Sequence, residues 1–293
     1  MAVFEFKAEI ALPAIGALEE RLAEREEQRF MVLEDKPSGR AWLAGYFAAR
    51  EEALDAWREL AAGLGVGVAV GETVVRQLPD EDWKESYKVH FKAWKFGRLN
   101  WVPVWERGTF APPSGEEVLW LDPGMAFGTG NHETTRLVVE RLVAIAAREG
   151  IGARVLDAGC GSGILALSAL KLGFAEVAGF DNDPEAVRIS RENAELNGLS
   201  RQADFFVGDL DSGLAGAEVG VLLANIQADV LGRFASGLVR AVAPGGHLIL
   251  SGILGRELES VRAAFAPLTT GWSVESRELG EWADLAFCRP RLG

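Results

Sequence analysis

Three glycines at alternate positions, with an acid two residues before the first, are the residues whose spacing most clearly suggests chemistry. They lie in residues 155–163 (VLDAGCGSG), and an apolar run follows them. This order predicts a buried strand, a tight turn and the first turn of a helix. Glycine tolerates positive φ and lets a ligand approach the backbone. The free N–H groups at the start of the helix would face a polar or anionic ligand group.

A second acid follows where the next strand is predicted to end. Residues 177–181 read VAGFD, and Asp181 is placed to hold the hydroxyls of a ribose. The spacing Gly-x-Gly-x-Gly differs from the Gly-x-Gly-x-x-Gly of dinucleotide sites, which disfavours an NAD dehydrogenase. The glycine turn and Asp181 together resemble the class I methyltransferases that use S-adenosylmethionine. The alternative is an ordinary strand–helix turn that binds no cofactor.

The composition limits the classes of function. The 293 residues carry a formal net charge of −13, which repels phosphate backbones and disfavours general nucleic-acid binding. This charge suits a basic protein partner, although solubility alone explains it equally well. Two cysteines and three scattered histidines suggest neither a disulfide framework nor a metal site. The sequence shows no signal peptide and no apolar run long enough to span a membrane. We therefore expect a cytoplasmic protein without a membrane partner.

The order of predicted elements divides the chain into three parts. Residues 1–78 read β-α-β-β-α-β, the order of a ferredoxin-like α+β domain, and are expected to serve in recognition. Residues 113–293 alternate strands and helices, which predicts a doubly wound α/β sheet with its ligand at the carboxyl ends of the strands. Residues 79–112 alternate aromatic and basic residues. We interpret them as a linker whose rings pack on both domains, with a stacking surface for nucleic acid as the alternative.

A stretch just ahead of the predicted sheet narrows the class. Residues 122–136 (DPGMAFGTGNHETTR) closely resemble the corresponding stretch of the ribosomal protein L11 methyltransferases, and the resemblance covers nearly the whole chain. It implies a mostly parallel class I methyltransferase sheet with an antiparallel last strand. It also implies S-adenosylmethionine as cofactor and ribosomal protein L11 as partner, docked by the small N-terminal domain. The methyl acceptors would be lysine side chains, the N-terminal amine, or both.

The resemblance carries the family's cofactor contacts onto four residues, and each also has a local physical reason. Asp181 can accept hydrogen bonds from both ribose hydroxyls, and Gly159 lets the backbone lie against the cofactor. Thr135 can hydrogen-bond the methionine portion. Asn225 ends the fourth predicted strand of the sheet, at the reaction end of the cleft. Packed or turn-capping roles are the alternatives for these side chains.

Other residues are expected to contact the cofactor as well. Gly161 belongs to the glycine turn, and Phe127 and Gly128 belong to the loop that would cover the methionine end. Asp209 ends another predicted strand, where a contact with the adenine edge and a purely structural role are equally expected.

The residues around Asn225 bear on the acceptor and the mechanism. Residues 225–228 read NIQA, without the proline pair and aromatic ring that many amide and adenine methyltransferases carry there. This difference favours an open site for flexible aliphatic amines, with Asn225 positioning the amine. No histidine–carboxylate dyad requires a general base, so catalysis by proximity with solvent accepting the proton is expected. His132 is the weaker candidate base.

Two further functions stay open from the sequence. One is a class I methyltransferase acting on another protein, a small amine or RNA, although the acidic charge disfavours RNA. The other is a cofactor-binding ribosome-assembly factor without transfer activity. The presence of Gly159, Asp181 and Asn225 disfavours this second alternative.

Overall fold

The computed structural model describes residues 3–24, 29–35, 40–62, 70–78, 93–122 and 133–291. The chain divides into two compact units, Met1–Phe91 and Lys92–Gly293. Within the described residues, no helix is both long and apolar enough to cross a membrane. Those residues also contain no group of three or more His, Cys, Asp or Glu side chains that could hold a metal ion.

The first unit is a four-stranded antiparallel sheet with two helices. Its strands are β1 Val3–Ile10, β2 Phe30–Asp35, β3 Arg40–Phe47 and β4 Val70–Leu78. Its helices are α1 Ile15–Glu24, which follows a 3₁₀ turn at Leu12–Ala14, and α2 Arg50–Ala61. The strand order β2-β3-β1-β4 is that of the expected ferredoxin-like domain.

Alternation along the strands builds the core of this unit. Phe6 of β1 is fully buried and packs edge to face on Phe30, with ring centroids 5.3 Å apart. Leu18 of α1 and Leu60 of α2 belong to the same apolar cluster. The residues next to Phe6 along the strand therefore point to the opposite face of the sheet.

The second unit combines a small sheet with a large one. The small sheet has β5 Trp94–Phe96, β6 Leu99–Pro103 and β7 Glu117–Leu121. The large sheet has β8 Val155–Ala158, β9 Val177–Asp181, β10 Ala203–Val207, β11 Val219–Asn225, β12 Val242–Leu254, β13 Ser273–Leu279 and β14 Trp282–Cys288. The helices are α3 Glu133–Glu149, α4 Ile164–Lys171, α5 Pro184–Leu196, α6 Leu210–Gly213, α7 Ala228–Arg233, α8 Ala235–Arg240 and α9 Leu258–Phe265, with 3₁₀ turns at Val104–Glu106 and Gly255–Glu257.

The strand order of the large sheet confirms the predicted fold class. The order is β10-β9-β8-β11-β12-β14-β13, and only β14 runs antiparallel to its neighbours. The chain moves from β8 outward to β10 and then returns to place β11 on the other side of β8. This reversal leaves a crevice at the carboxyl ends of the central strands, which is where ligands bind in such sheets.

Part of the expected linker differs from the structure. Residues 79–92 lie outside the described residues, but Trp94 to Pro103 form β5 and β6 of the second unit. Trp101 is fully buried, packs on Phe96 and donates a hydrogen bond from Nε1 to Ser168 Oγ at 3.0 Å. The alternating rings and basic residues thus belong to strands of the second unit. In β5 Lys95 is exposed between Trp94 and Phe96, and all five residues of β6 are buried because β6 pairs with β7 and packs on α4.

An acid is buried where β8 meets the glycine turn. Asp157 is 1% exposed, and its Oδ2 accepts the N–H of Ala166 at 3.2 Å. Its Oδ1 has no hydrogen-bond partner among the described residues. Burial raises the pKa of Asp157 to about 7, and the neighbouring charge of Asp181 acts in the same direction. The folded state therefore favours the protonated form of this carboxyl.

This raised pKa predicts a pH dependence of stability. A carboxyl whose pKa is higher when folded stabilises most at low pH, and that stability is lost as the pH rises through about 7. The Asp157→Asn variant lacks this loss. From pH 5 to pH 8 its free energy of unfolding should therefore gain about 2–3 kcal/mol relative to the parent protein.

Urea unfolding at the two pH values measures this difference. Asp204→Asn, at an exposed carboxyl on β10, is the matched control and should show no such gain. Equal pH dependence in the parent protein and the Asp157→Asn variant would show that Asp157 ionises as readily in the folded state as in the unfolded one.

Candidate functional site

The glycine turn is a backbone structure that only glycine adopts readily. Gly159, Gly161 and Gly163 have φ of +73°, +52° and +76°. The N–H groups of Gly159 and Cys160 both donate to the carbonyl oxygen of Phe180 at 2.9 Å. The turn after β8 is therefore tied to the end of β9, and α4 starts directly after Gly163.

Asp181 ends β9, as predicted from the sequence, and its carboxylate contacts the glycine turn. Its Oδ2 accepts the N–H of Gly161 at 2.9 Å, and its Oδ1 accepts the N–H of Asp183 at 3.0 Å. These two bonds fix the orientation of the carboxylate. Each oxygen keeps a second lone pair that can accept a hydroxyl proton. The arrangement can therefore bind two neighbouring hydroxyl groups.

A cavity of about 450 Å³ opens beside Asp181. Asp181, Asp209 and the backbone of Gly159 line it. Most of the remaining wall is apolar, chiefly Leu210, Ile226, Val230 and Phe234, and the polar side chains of Asn182, Gln227 and Arg233 also line the cavity. The volume lies in the range of small-molecule sites. A largely apolar cavity with a carboxylate in its wall fits an adenine ring joined to a ribose.

Asp209 borders this cavity and also caps a helix. The N–H and the hydroxyl of Ser212 donate to its Oδ1 at 2.7 and 2.6 Å, and Ser212 Oγ accepts the N–H of Asp209. This capping box starts α6. The Ser212 hydroxyl bond is the main cause that lowers the pKa of Asp209. The capping role of Asp209 was not predicted from the sequence, and it is compatible with a position in the cavity wall.

Thr135 and Asn225 meet although they are 90 residues apart in the sequence. Asn225 ends β11, and its Nδ2 donates to Thr135 Oγ1 at 3.4 Å. Thr135 lies in the first turn of α3 and is 3% exposed. Neither residue is among those that line the cavity, although Ile226, which directly follows Asn225, is. The structure thus brings the predicted contacts from the ends of four strands, β8 to β11, and from one helix to the same edge of the sheet.

Three predicted residues lie outside the described residues. Phe127, Gly128 and His132 belong to residues 123–132, for which no position is described. Their roles in covering the cofactor, and the role of His132 as a weak candidate base, stay predictions.

The apolar wall of the cavity was not identified from the sequence. Ile226 directly follows Asn225, and Val230 and Phe234 are each four residues further on. This spacing places them on one side of the segment after β11, where a helical period was readable. Since the same spacing is found on any helix that packs on a sheet, it did not distinguish a ligand wall from core.

Comparisons with known proteins agree with this geometry. A family model described as ribosomal protein L11 methyltransferase matches residues 9–290. Two relatives carry the name ribosomal protein L11 methyltransferase. The one from Pelobacter propionicus is 41% identical over 245 residues, covering 82% of this chain and 77% of the relative. The one from Azotobacter vinelandii is 40% identical over 277 residues, covering 88% and 92%.

A solved structure supports the same conclusion. The crystal structure of a ribosomal protein L11 methylase from Lactobacillus delbrueckii subsp. bulgaricus superposes with a TM-score of 0.60 at 31% identity. The match covers 69% of this chain and 100% of that one. The predicted cofactor, S-adenosylmethionine, is that of this fold class, and the cavity beside Asp181 fits its adenosyl group. With a family model matched along almost its whole length, the chain belongs to the ribosomal protein L11 methyltransferase family.

Proposed function

We propose that this protein transfers methyl groups from S-adenosylmethionine to amino groups of ribosomal protein L11, on lysine side chains, the N-terminal amine or both. The observation that carries the proposal is the Asp181 carboxylate, fixed by two backbone N–H groups beside a nucleoside-sized cavity. Membership of the family supports the choice of substrate. The negative net charge is consistent with a basic protein partner.

Each part of the site has a proposed role in binding the cofactor. Asp181 accepts the ribose hydroxyls, and Asp209 meets the adenine edge. Gly159 and Gly161 bring the backbone against the cofactor. Thr135 and Asn225 bind its methionine end, with Phe127 and Gly128 covering that end.

The acceptor amine must lose its proton before it can react. When bound, S-adenosylmethionine supplies an electrophilic methyl carbon on a sulfonium. A lysine amine has a pKa of about 10.4, so supplying its neutral form at pH 7 costs about 4–5 kcal/mol. A site that removes water from the amine lowers this cost, because desolvation disfavours the ammonium form. Solvent then accepts the proton, and His132 is the weaker candidate for that role.

Asn225 is the proposed positioning group for the amine. Its Nδ2 donates to Thr135, which leaves the amide oxygen to accept an N–H from the incoming amine. Such an acceptor orients the nitrogen lone pair toward the methyl carbon. Holding the two reacting groups in this orientation accounts for a large part of the rate increase that such a site provides. We place this reaction in the cytoplasm, on a free or ribosome-bound protein and without a membrane or direct nucleic-acid contact.

A transfer assay tests the substrate. The purified protein is incubated with methyl-labelled S-adenosylmethionine and a total ribosomal-protein extract, and labelled products are identified by mass spectrometry. We expect label on ribosomal protein L11, at lysine side chains or the N-terminal amine. Label on another protein, on a small amine or on RNA would support a different methyltransferase. Cofactor binding without any labelled product would support an assembly factor.

The Asp181→Ala variant tests the cofactor site. Removal of a carboxylate that accepts two hydroxyls should weaken binding of S-adenosylhomocysteine by about tenfold or more in calorimetry, because bonds to charged groups contribute about 1.5–3 kcal/mol. Circular dichroism checks that the protein is folded. Asp204→Ala, at an exposed carboxyl on β10, is the control and should bind like the parent protein. Parent affinity in the Asp181→Ala variant would rule out the ribose-binding role.

Removal of the first unit tests its role in recognition. A chain lacking residues 1–91 retains both apolar clusters that cover the large sheet. We expect it to bind S-adenosylhomocysteine like the full chain and to lose methylation of ribosomal protein L11. Methylation at the full rate would show that substrate docking takes place on the second unit.

A further inference from the structure

A bulge interrupts β12 beside the proposed reaction end of the site. In the parallel pairing with β11, Ser251 lies opposite Asn225. In the antiparallel pairing with β14, the register shifts between Leu250 and Ile253. Gly252 lies in this shift with φ of +80°. Bulges of this kind redirect a strand locally and are frequent next to active sites.

The hydroxyl of Ser251 connects this bulge to α3. Ser251 is fully buried, and its Oγ donates to the carbonyl oxygen of Thr134 at 3.0 Å. Thr134 lies in the first turn of α3 and directly precedes Thr135. Fixing the Thr134 carbonyl therefore fixes the backbone that carries the Thr135 hydroxyl, which receives the hydrogen bond from Asn225.

Gly252 makes room for the backbone that follows Asn225. A Cβ built on Gly252 would lie 2.5 Å from the carbonyl oxygen of Ile226 and 3.1 Å from its nitrogen. These are backbone atoms, so they cannot move aside as the end of a flexible side chain would. On its other side, Ile226 Cγ2 lies 2.5 Å from where a Cβ on Gly159 would be. Ile226 is therefore held between two glycines, Gly159 in the glycine turn and Gly252 in the bulge.

The position of Ser251 is unusual for its strand. The preceding residues Leu248, Ile249 and Leu250 are fully buried apolar side chains. A hydroxyl in such surroundings is costly unless it is hydrogen-bonded. Ser251 makes this bond to the one helix turn that carries a proposed cofactor contact, which indicates a function beyond filling the core.

We infer that Ser251 and Gly252 are positioning residues for methyl transfer: Ser251 holds Thr135, and Gly252 holds the Asn225–Ile226 segment, so that the two proposed contacts meet at the cofactor. This inference rests on the proposed function, since it acts through Thr135 and Asn225. It adds to that function two residues of β12 that border neither the adenosyl cavity nor the glycine turn.

A double-mutant cycle with Ser251→Ala and Thr135→Val tests the first half. Calorimetry measures the Kd of S-adenosylhomocysteine, the non-reacting product, for the parent, both single variants and the double variant. Loss of one neutral hydrogen bond should raise the Kd of Ser251→Ala about fivefold. If Ser251 acts through Thr135, the double variant binds no more weakly than Thr135→Val alone, because residues in one network are not additive.

Thr269→Val is the matched control for this cycle. The Thr269 hydroxyl is also buried and donates to the carbonyl oxygen of Phe265 at the same 3.0 Å. Thr269 is not among the residues that line the cavity. The variant should lower the unfolding temperature about as much as Ser251→Ala does while leaving the Kd unchanged.

Gly252→Ala tests the second half against Gly271→Ala. Gly271 has φ of +81° with no atom near its Cβ position, so both variants have the same backbone strain and only Gly252→Ala adds a collision. We expect Gly252→Ala to weaken binding about tenfold or more, because an added carbon in a packed site forces neighbours to shift. Gly271→Ala should bind like the parent. Parent affinity in Gly252→Ala, or loss of folding in Gly252→Ala but not in Gly271→Ala, overturns the inference for Gly252, and the Ser251 cycle decides the inference for Ser251.

The outcomes separate this inference from the function on which it rests. Weaker binding in Thr135→Val and Ser251→Ala, without further loss in the double variant, supports it. Weaker binding in Thr135→Val with parent affinity in Ser251→Ala overturns the inference and leaves the proposed site intact. Additive losses of affinity in the double variant overturn the inference, because Ser251 then acts independently of Thr135. A loss of affinity in Thr269→Val equal to that in Ser251→Ala also overturns it, because Ser251 then has only a structural role. Parent affinity in Thr135→Val overturns the site assignment and the inference together.

Discussion

The site depends on the hydrogen bonds that join the glycine turn to the end of β9. Two N–H groups of the turn reach the Phe180 carbonyl, and a third reaches the Asp181 carboxylate. A turn held in this way exposes its backbone toward the crevice, and the same bonds aim the carboxylate into it. Since β8 lies between β9 and β11 in the sheet, the end of β11 with Asn225 arrives on the other side of the same turn. The sheet order therefore brings the proposed cofactor contacts and the proposed amine-positioning residue to one edge.

Two carboxyl groups share this small region, and their environments differ. Asp157 is buried under the turn, so its pKa rises to about 7 and its charge is partly suppressed near neutral pH. Asp181 is more accessible, and two backbone N–H groups donate to its carboxylate. Burial thus sets the state of Asp157, whereas backbone hydrogen bonds set the orientation of the Asp181 carboxylate.

Local pattern predicted most of the elements, and it was least successful where pairing between distant segments decides the structure. The predicted strand at 3–10 and the helix from Arg50 were confirmed. Both predictions rest on alternation or amphipathic periodicity, which depend only on residues close together in the sequence. The strands at 94–103 were missed. β6 pairs with β7, which comes later in the chain, and a buried Trp101 resembles a linker aromatic when the partner strand is unknown.

The sequence alone determined the chemistry of the site: three glycines that permit positive φ, an acid at the end of the following strand, and an asparagine at the end of a later one. These depend on residue type and short spacing, which are local properties. Only the tertiary structure decided which of them meet. The contact of Asn225 with Thr135, the bond from Ser251 to Thr134 and the fit of Ile226 against Gly252 join segments far apart in the chain. Such contacts follow from sheet order and close packing, where a displacement of one ångström removes a hydrogen bond, and no single segment encodes them.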